Sequence, residues 1–490
     1  MINSFIGRQQ TIARLVKNLS NRQWSVLLIG SMLCAISLGI ATTYLGISIL
    51  VIPILVFFLI LKPEILLIVL LFAWITDVTW INDNLRFVKD YLILLIFAKS
   101  LLVKASISEF IKSPISKGII FFIIIIVVGG ILNSSELSPL TMVYGLRGIF
   151  LYPLLFFALL RLNFPTSVYY RLVKLIPFLA LIQLPVQLLQ KTTGFQWGNP
   201  ANLVKITTWD NTAGLFGGNG VLVLSALLLV AAGISASEIA HKKRIVLNLL
   251  VLLVVPISLA IAEGKYGLLI YLPIVLWAFR SLLKSINKIL IFLILGTGIV
   301  LVAWYAISNL STLSGSSYNS LTDPSRLMVL VNNQFSDQPS SGSWFTTGRI
   351  GVLIIVSHER AHSLDGFLQN IFGNGAGSGS LSKITLFSGY LANKYPFDPL
   401  TRTDLSRLWI EFGWLGCLVF AYFYFFMFTR AVKLRSNIQS EDDIALQYIT
   451  VSVIPIVILL VPYTEVNALG IAGFVLWTLS AWTESKLIKL

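Results

Sequence analysis

Charged residues are scarce in this sequence. Only 12% of its 490 residues are Asp, Glu, Lys or Arg, whereas 56% are apolar; a soluble protein carries about 25% charged residues. This deficit excludes a water-soluble globule, a disordered chain and a fibrous protein. Apolar runs of about 18 or more residues recur along the chain, which predicts an all-α polytopic membrane protein. The short alternating strands of an outer-membrane barrel are not seen.

Cysteine and histidine are also rare. Cys34 and Cys417 both lie in apolar runs, where they are poorly placed to pair and do not indicate a redox compartment. Three histidines limit any histidine-based metal site. The formal net charge of +15 does not by itself indicate nucleic acid, because in a membrane protein its meaning depends on which side carries the cations.

The apolar runs predict about fourteen membrane-spanning helices, within a range of about twelve to fourteen. Their expected positions are residues 25–41, 44–61, 64–80, 86–103, 118–132, 142–160, 172–190, 219–236, 245–262, 265–280, 289–307, 404–428, 445–462 and 466–483. The chain thus divides into a basic tail (1–23), spans one to eleven (24–307), one large hydrophilic loop containing helices (308–403), and the last three spans with a short tail (404–490).

The distribution of cations orients the chain. If the N-terminus is cytoplasmic, 23 of the 36 Lys and Arg residues lie on the cytoplasmic side, with 7 of the 21 Asp and Glu residues. Cytoplasmic loops carry such an excess of cations. We therefore expect both termini in the cytoplasm and the 308–403 loop outside it, and the basic net charge indicates topology, with no nucleic-acid partner.

The basic tail, residues 1–23, has two interpretations of equal weight. Phe5, Ile12 and Leu19 can share one helical face with Arg8 and Arg14 opposite, which is typical of a helix lying on an anionic leaflet. Alternatively, the tail is frayed and its cations only set the topology.

The 308–403 loop is too long for a simple connection, and loops of this length usually carry function. Apolar residues recur at near-helical spacing from Gly348 to Phe372, which predicts a helix. The following "GNGAGSGS" (373–380) should end it. Its glycines are either a flexible turn or a loop whose backbone N–H groups approach an oxyanion.

Residues 358–362, "HERAH", have the spacing of a zinc-protease helix. Arg360 is a cation where such helices carry uncharged residues, and no His or Glu occurs between 363 and 410 to supply a third ligand. The segment also lies outside the predicted spans. We therefore expect no metal here, and interpret the motif as the polar face of a surface helix.

Several cations occur near the outer ends of spans, where topology does not require them. Arg147 lies inside an apolar run between Gly145 and Gly148, which allow close backbone approach. Lys265 begins another span. Such cations either snorkel to the headgroups or, together with arginines of the loop and its exit, form a basic cavity for a lipid-attached polyanion. Arginine suits phosphate because it binds bidentately. The arginines concerned are Arg349, Arg402 and Arg407.

Three segments follow one another in a distinctive order. "AEGKYG" begins a span at Lys265, "TTGRIGV" places Arg349 before the glycine-rich turn, and "RTDLSRLWIEFGWLG" (402–416) returns to the membrane. In order, spacing and side they resemble the O-antigen ligase and O-antigen polymerase superfamily of bacterial envelope glycosyltransferases. Ligases carry a histidine where this chain has Arg402, so the chain looks more like a polymerase than a lipid A-core ligase.

The resemblance implies a metal-independent, inverting glycosyl transfer that uses no cofactor, at the bacterial cytoplasmic (inner) membrane. The donor would be a glycan on undecaprenyl pyrophosphate, and a hydroxyl of the glycan acceptor would attack its anomeric carbon. Other implied partners are membrane lipids and a chain-length regulator or flippase. The implied catalytic residues are Asp404 and His358, and the implied diphosphate-binding residues are Arg147, Lys265, Arg349, Arg402 and Arg407.

Two other functions compete with this one. In a secondary transporter of a small anion such as bicarbonate, Pro177 and Pro185 would break the seventh span. Against it, the sequence has no internal repeat, and its ionisable residues concentrate near outer ends. In a non-catalytic assembly protein the long loop would be a docking surface, and neutralising Arg349 would leave activity intact.

Overall fold

The computed structural model describes the chain in segments. These are residues 61–75, 88–103, 112–193, 213–216, 220–262, 265–282, 364–380, 388–394, 403–438, 440–462 and 470–488, with Leu400, Thr464 and single positions in 290–301 and 353–360. The predicted basic tail, the first two predicted spans and most of the 308–403 loop lie outside the described residues.

Every regular element in the described segments is a helix. In chain order they are α1 (Pro63–Ile75), α2 (Val88–Leu101), α3 (Pro114–Leu132), α4 (Pro139–Leu162), α5 (Thr166–Thr193), α6 (Val221–Ala240), α7 (Ile245–Ile261), α8 (Lys265–Ala278), α9 (Leu364–Phe372), α10 (Tyr390–Lys394), α11 (Asp404–Leu434), α12 (Glu441–Leu460) and α13 (Ile471–Ile488). Short 3₁₀ turns occur at Gly214–Phe216 and Arg435–Asn437. The all-α class is confirmed.

Among the described residues, six helices are long and apolar enough to cross a membrane: α3, α4, α5, α6, α11 and α12. Three shorter helices, α1, α7 and α8, are also apolar. Large apolar side chains cover the exposed face of α3, including Ile124 and Ile131, a surface that hydrocarbon suits and water does not. The chain is therefore a multi-pass membrane protein.

Helices begin slightly before the apolar runs that predict them. Ser138 Oγ accepts a hydrogen bond from the Thr141 N–H at 3.1 Å, and Ser440 Oγ accepts one from the Asp443 N–H at 3.1 Å. These caps satisfy amide groups that have no partner inside the helix. Because the caps are polar, hydropathy alone places the starts of α4 and α12 several residues too late.

Helix α6 lies at the centre of the bundle, in contact with α5, α7, α8, α12 and α13. Most of its residues are buried, as are Trp477 and Trp482 of α13. Helix α4 contacts α2 and α13, and α11 contacts α3, α12 and α13. This arrangement brings the N-terminal ends of α2, α4 and α11 to the same end of the bundle.

The main helix interruption is not at the prolines of the seventh predicted span. Helix α5 continues through both Pro177 and Pro185. In α11, however, Gly413 has non-helical angles (φ 64°, ψ −160°) and separates Asp404–Phe412 from the longer part that follows. The predicted span 404–428 is therefore two helical pieces, because the first packs against α9 rather than continuing the line of the second.

The predicted helix before the glycine-rich turn is confirmed where the structure describes it. Leu353, Val356, Ser357 and Arg360 are helical, and Ser357 Oγ donates to the carbonyl of Leu353 at 2.6 Å. Helix α9 then ends at Phe372, where Gly373 adopts φ +80°. The turn ends the helix as the glycines predict.

Candidate functional site

The glycine-rich turn (373–380) packs against one end of the helix bundle. We refer to this end of the bundle as the "loop end". A Cβ at Gly145 of α4 would overlap the backbone of Gly377, and Gly377 itself has φ +84°. The Asn133 side chain, which follows α3, donates to the Gly373 carbonyl at 3.2 Å and accepts from Gln369 at 3.2 Å. The close backbone approach expected at Gly145 is confirmed.

Four backbone amides of the turn donate hydrogen bonds within the protein. The Gly373 N–H donates to Gln369, Asn374 to Ile410, and Ser378 and Ser380 to carbonyls earlier in the turn. These four amides are therefore already bonded. Gly377 and Gly145 let the turn pack closely against α4.

The turn also fixes the kink in α11. A Cβ at Gly413 would lie 2.5 Å from the Ile371 carbonyl oxygen, and one at Gly373 would overlap the backbone of Glu411. The Asn374 N–H donates to the Ile410 carbonyl at 2.8 Å. Since both glycines have φ values in the left-handed region, only glycine lets the end of α9 cross α11 this closely.

Arg407, Glu411 and Ser380 form a buried polar cluster beneath the turn. Arg407 Nε lies 3.4 Å from Glu411 Oε2, one helical turn away. Ser380 Oγ donates to Glu411 Oε1 at 3.0 Å and accepts from Arg407 Nη2 at 3.3 Å. A Cβ at Gly148 would lie 2.7 Å from Arg407 Nη1. Gly148, which directly follows Arg147, therefore leaves room for the Arg407 guanidinium.

Arg147 forms an ion pair with Asp90 of α2, and about 20% of its side chain is exposed. Its guanidinium also lies 5.4 Å from the ring centre of Tyr144. A buried or half-buried arginine without a partner is costly in an apolar segment. Asp90 supplies that partner, which the cation pattern alone did not predict.

An aromatic group lies beside this ion pair. Lys89 Nζ lies 4.3 Å from the ring centre of Trp74, which is 5.6 Å from the ring of Tyr152. The Tyr152 hydroxyl donates to the Gly470 carbonyl before α13. Cations over aromatic faces are held electrostatically, so Lys89 is directed toward α1 and α4.

Asp404 begins α11 and is almost fully buried. Thr403 and Ser406 form a capping box at this helix start, and the Asp404 N–H donates to the Thr464 carbonyl at 3.2 Å. Arg407, three residues after Asp404, packs against Gly148 of α4, which brings the start of α11 close to the helix that carries Arg147.

Arg360, the central residue of "HERAH", joins the loop to α11. Its Nη2 donates to the Ile410 carbonyl at 2.9 Å, and its Nε donates to Asn374 Oδ1 at 3.0 Å. Asn374 Nδ2 in turn donates to Tyr390 Oη at 2.5 Å. Burial lowers the pKa of Arg360 to about 10, so it stays charged at neutral pH. In the sequence Arg360 counts against zinc, but no local pattern predicts this contact with α11.

The structure brings together three of the seven predicted site residues: Arg147, Asp404 and Arg407. Lys265 is the first residue of α8, but its side chain lies outside the described part of the chain. Arg349, His358 and Arg402 also lie outside the described residues. Four residues of the site were not among the predicted site residues. They are the carboxylates Asp90 and Glu411, the hydroxyl of Ser380 and the guanidinium of Arg360. Asp90 and Glu411 carried a usable signal, since a carboxylate in an apolar run needs a cationic partner.

The loop end therefore combines arginine–carboxylate pairs with a rigid turn and a buried carboxylate at a helix start. The exposed part of the Arg147 side chain can bind an anionic group there. Comparison of the sequence with models of known protein families and with curated proteins finds no match.

Proposed function

We propose that this chain is a membrane glycosyltransferase. It transfers or polymerises undecaprenyl-pyrophosphate-linked glycan units on the outer face of the bacterial cytoplasmic membrane, as a polymerase rather than a lipid A-core ligase. One observation carries the proposal: three segments distant in sequence, around Arg147, at 373–380 and at 404–411, pack together at the loop end. These include two of the segments that resemble the superfamily's motifs.

The proposal includes a full topology. The chain would have about fourteen spans with both termini in the cytoplasm. The 308–403 loop, and with it the loop end, would then face the periplasm. Support comes from the cation asymmetry of the sequence and from the position of α9 and the glycine-rich turn at the same end as the start of α11.

Among the described arginines of the loop end, Arg147 is the most exposed and so the most open to a donor diphosphate. Its pairing with Asp90 avoids an unpaired cation in the apolar segment before the donor arrives, yet leaves part of the guanidinium accessible. Lys265, Arg349 and Arg402 would complete the anion site from α8 and the long loop. Arg407, which is buried against Gly148, would contribute positive potential and hold the turn in place rather than contact the donor directly.

The transfer would break one bond and form one. An acceptor hydroxyl oxygen attacks the anomeric carbon, and the bond from that carbon to the pyrophosphate oxygen breaks. The lipid diphosphate leaves with the electron pair, and its charge is stabilised by the arginines and Lys265 without a metal. The acceptor proton passes to Asp404 or to His358. The position of Asp404 at the start of α11, at the loop end, supports Asp404 in this role.

The transporter alternative relied on a broken seventh span. Because α5 continues through Pro177 and Pro185, this feature does not favour a transporter. The described ionisable cluster also lies at one end of the bundle and not in the middle of the spans. We therefore retain the transporter only as an outcome of the experiment.

The test combines a deletion strain with a transfer assay. Loss of a polymerase should leave single repeat units on the carrier lipid, loss of a ligase should leave long chains on it, and unchanged glycans with lost anion uptake would indicate a transporter. In vitro, Arg147→Gln should transfer about ten- to a hundred-fold more slowly from a lipid-pyrophosphate donor. Arg171→Gln, which changes an exposed arginine at the other end of the bundle, is the matched control and should keep the wild-type rate.

A further inference from the structure

A second group of basic side chains lies at the end of the bundle opposite the loop end. The guanidinium of Arg280, just after α8, lies 4.9 Å from the ring centre of Trp277 and 4.2 Å from that of Tyr448. The ring of His241, just after α6, packs edge-on against the same Tyr448 with centroids 4.7 Å apart. The two basic groups are thus held beside one tyrosine of α12.

Several hydrogen-bond donors in this group are not used by the described residues. Arg280 Nη1 donates to the Trp277 carbonyl at 2.9 Å and to Ser452 Oγ at 3.0 Å. No hydrogen bond of its Nε or Nη2 to a described residue is found, so their N–H groups are open on this side. Nε2 of His241 is buried and likewise has no hydrogen-bond partner among the described residues.

Three other cations at the same end of the bundle have acidic partners. Arg430 pairs with Glu484 at 2.7 Å, Lys486 with Asp443 at 2.9 Å, and Lys243 with Asp442 at 3.1 Å. Within the described segments, Arg280 and His241 have no such carboxylate partner.

Three cations lie near His241. Burial and the nearby cations Lys243, Arg435 and Arg280 lower the pKa of His241. Arg435 also acts electrostatically on Arg280. Positive charge collected in this way attracts an anion.

The depth of this group in the membrane indicates the kind of anion. Trp277 is about one-third exposed, and its indole N–H donates to the Val451 carbonyl at 3.1 Å. Tryptophan near a helix end is typical of the headgroup level. Leu282, two residues after Arg280, is also exposed, which suits a position close to lipid. A phosphate attached to a lipid would reach Arg280 at this depth.

We propose that Arg280, His241 and Arg435 bind the phosphate group of an anionic phospholipid headgroup. Arg280 would donate through Nε and Nη2, His241 would donate from Nε2, and the exposed Arg435 would add charge. A free phosphate ion offers the same oxygens, so the chemistry assigned to the site is a phosphate anion and the experiment distinguishes its source. This site is independent of the proposed glycan transfer at the loop end.

The test uses the purified full-length protein in detergent, titrated separately with phosphatidylglycerol, phosphatidylcholine and inorganic phosphate. Bound lipid is counted by native mass spectrometry, and thermal unfolding reports the effect of inorganic phosphate. Wild type should bind phosphatidylglycerol about tenfold more tightly than phosphatidylcholine. Arg280→Gln should lose this preference, and Arg435→Gln, whose exposed side chain does not support the fold, should weaken it. Arg171→Gln, at the same end, should keep it.

The remaining outcomes separate the two sources and the competing explanation. The site would be assigned to free phosphate by two results together. Inorganic phosphate would raise the melting temperature of wild type but not of Arg280→Gln or Arg435→Gln, and wild type would show no preference between the two lipids. The proposal would be overturned if wild type and all three variants showed the same lipid preference and inorganic phosphate did not change the melting temperature. Only a general attraction of basic residues to an anionic surface would then remain.

Discussion

The guanidinium of Arg407 lies directly against the backbone of Gly148, where a Cβ would stand 2.7 Å from Nη1 and 3.0 Å from Cζ. This contact joins the helix that carries Arg147 to the first piece of α11. Glu411 and Ser380 hold Arg407 from the other side. The guanidinium therefore has little room to move, and the position beside it requires a glycine.

Gly148→Ala should destabilise the protein. The added methyl group would displace a guanidinium that is held by two partners, and overpacking of a tight site costs about 1–3 kcal/mol. Gly130→Ala is the matched control, because its Cβ would meet only the flexible end of Met142. Thermal unfolding of the purified variants measures the difference. Equal melting temperatures for both variants would show that Arg407 is not held as tightly as its contacts indicate.

Asp90→Asn should destabilise the bundle because it leaves Arg147 without its anionic partner. Removing one partner of a buried ion pair costs about 3–5 kcal/mol of stability. Because Arg147 is partly exposed, we expect a loss at or below the lower end of that range. Arg147→Gln in the same chain removes the remaining charge. The double variant should therefore regain stability in a thermal unfolding assay.

Activity separates the two roles of this pair. If Arg147 binds the donor diphosphate, the double variant should be stable but slow in glycan transfer. Full activity in the double variant would show that the ion pair serves only the fold. A double variant no more stable than Asp90→Asn would contradict the pairing itself.

Arg360→Lys should loosen the contact between the loop and α11. Lysine keeps the charge but cannot donate from two sites to both Asn374 and the Ile410 carbonyl. We expect a loss of about 1–3 kcal/mol in the free energy of unfolding and faster proteolysis between α9 and α11. Arg171→Lys, at an exposed position, provides the control. Unchanged protease resistance in Arg360→Lys would assign the link to other contacts.

Within the described part of the chain, sequence patterns predicted where helices occur, since twenty or so apolar residues in a row have few other structures available. They also predicted close approach at Gly145 and Gly148 and the end of the loop helix at Gly373. These features depend on local chemistry: hydropathy, a missing Cβ and a left-handed φ. Helix starts were less well placed, because the caps at Ser138 and Ser440 are polar.

Side-chain partners were harder to predict. Arg147 and Arg407 looked like open cations in the sequence, whereas the structure pairs them with Asp90 and Glu411. Glu411 is one helical turn from Arg407 and could have been inferred. Asp90 lies on another helix, so its partner depends on how α2 packs against α4. The kink at Gly413 was hard to predict for the same reason, because it depends on how α9 crosses α11.

The topology makes a prediction that fusion reporters can check. Because 23 of the 36 Lys and Arg residues fall on the predicted cytoplasmic side, a periplasmic alkaline phosphatase fused after residue 330 should be active. The same enzyme fused after Leu434 should be inactive. A reporter at residue 330 that is active only in the cytoplasm would invert the orientation, and with it the proposed outer location of the site.

Arg349 provides the sharpest test of the proposed chemistry, although it lies outside the described residues. It follows Gly348 at the predicted start of the loop helix, where backbone N–H groups also favour an anion. A charge-assisted hydrogen bond to the donor diphosphate contributes about 1.5–3 kcal/mol, so Arg349→Ala should slow transfer about ten- to a hundred-fold. Arg349→Lys keeps the charge without the planar fork and should recover only part of the rate.

The measurement is transfer from a lipid-pyrophosphate glycan by wild type, Arg349→Lys and Arg349→Ala, at equal amounts of folded protein. If Arg349 merely anchors the loop helix to headgroups, lysine serves equally well, and the Lys variant should match wild type. An intermediate rate for Arg349→Lys is expected only when the geometry of the guanidinium matters, as it does for bidentate contact with phosphate. Equal rates for all three proteins would remove Arg349 from the site.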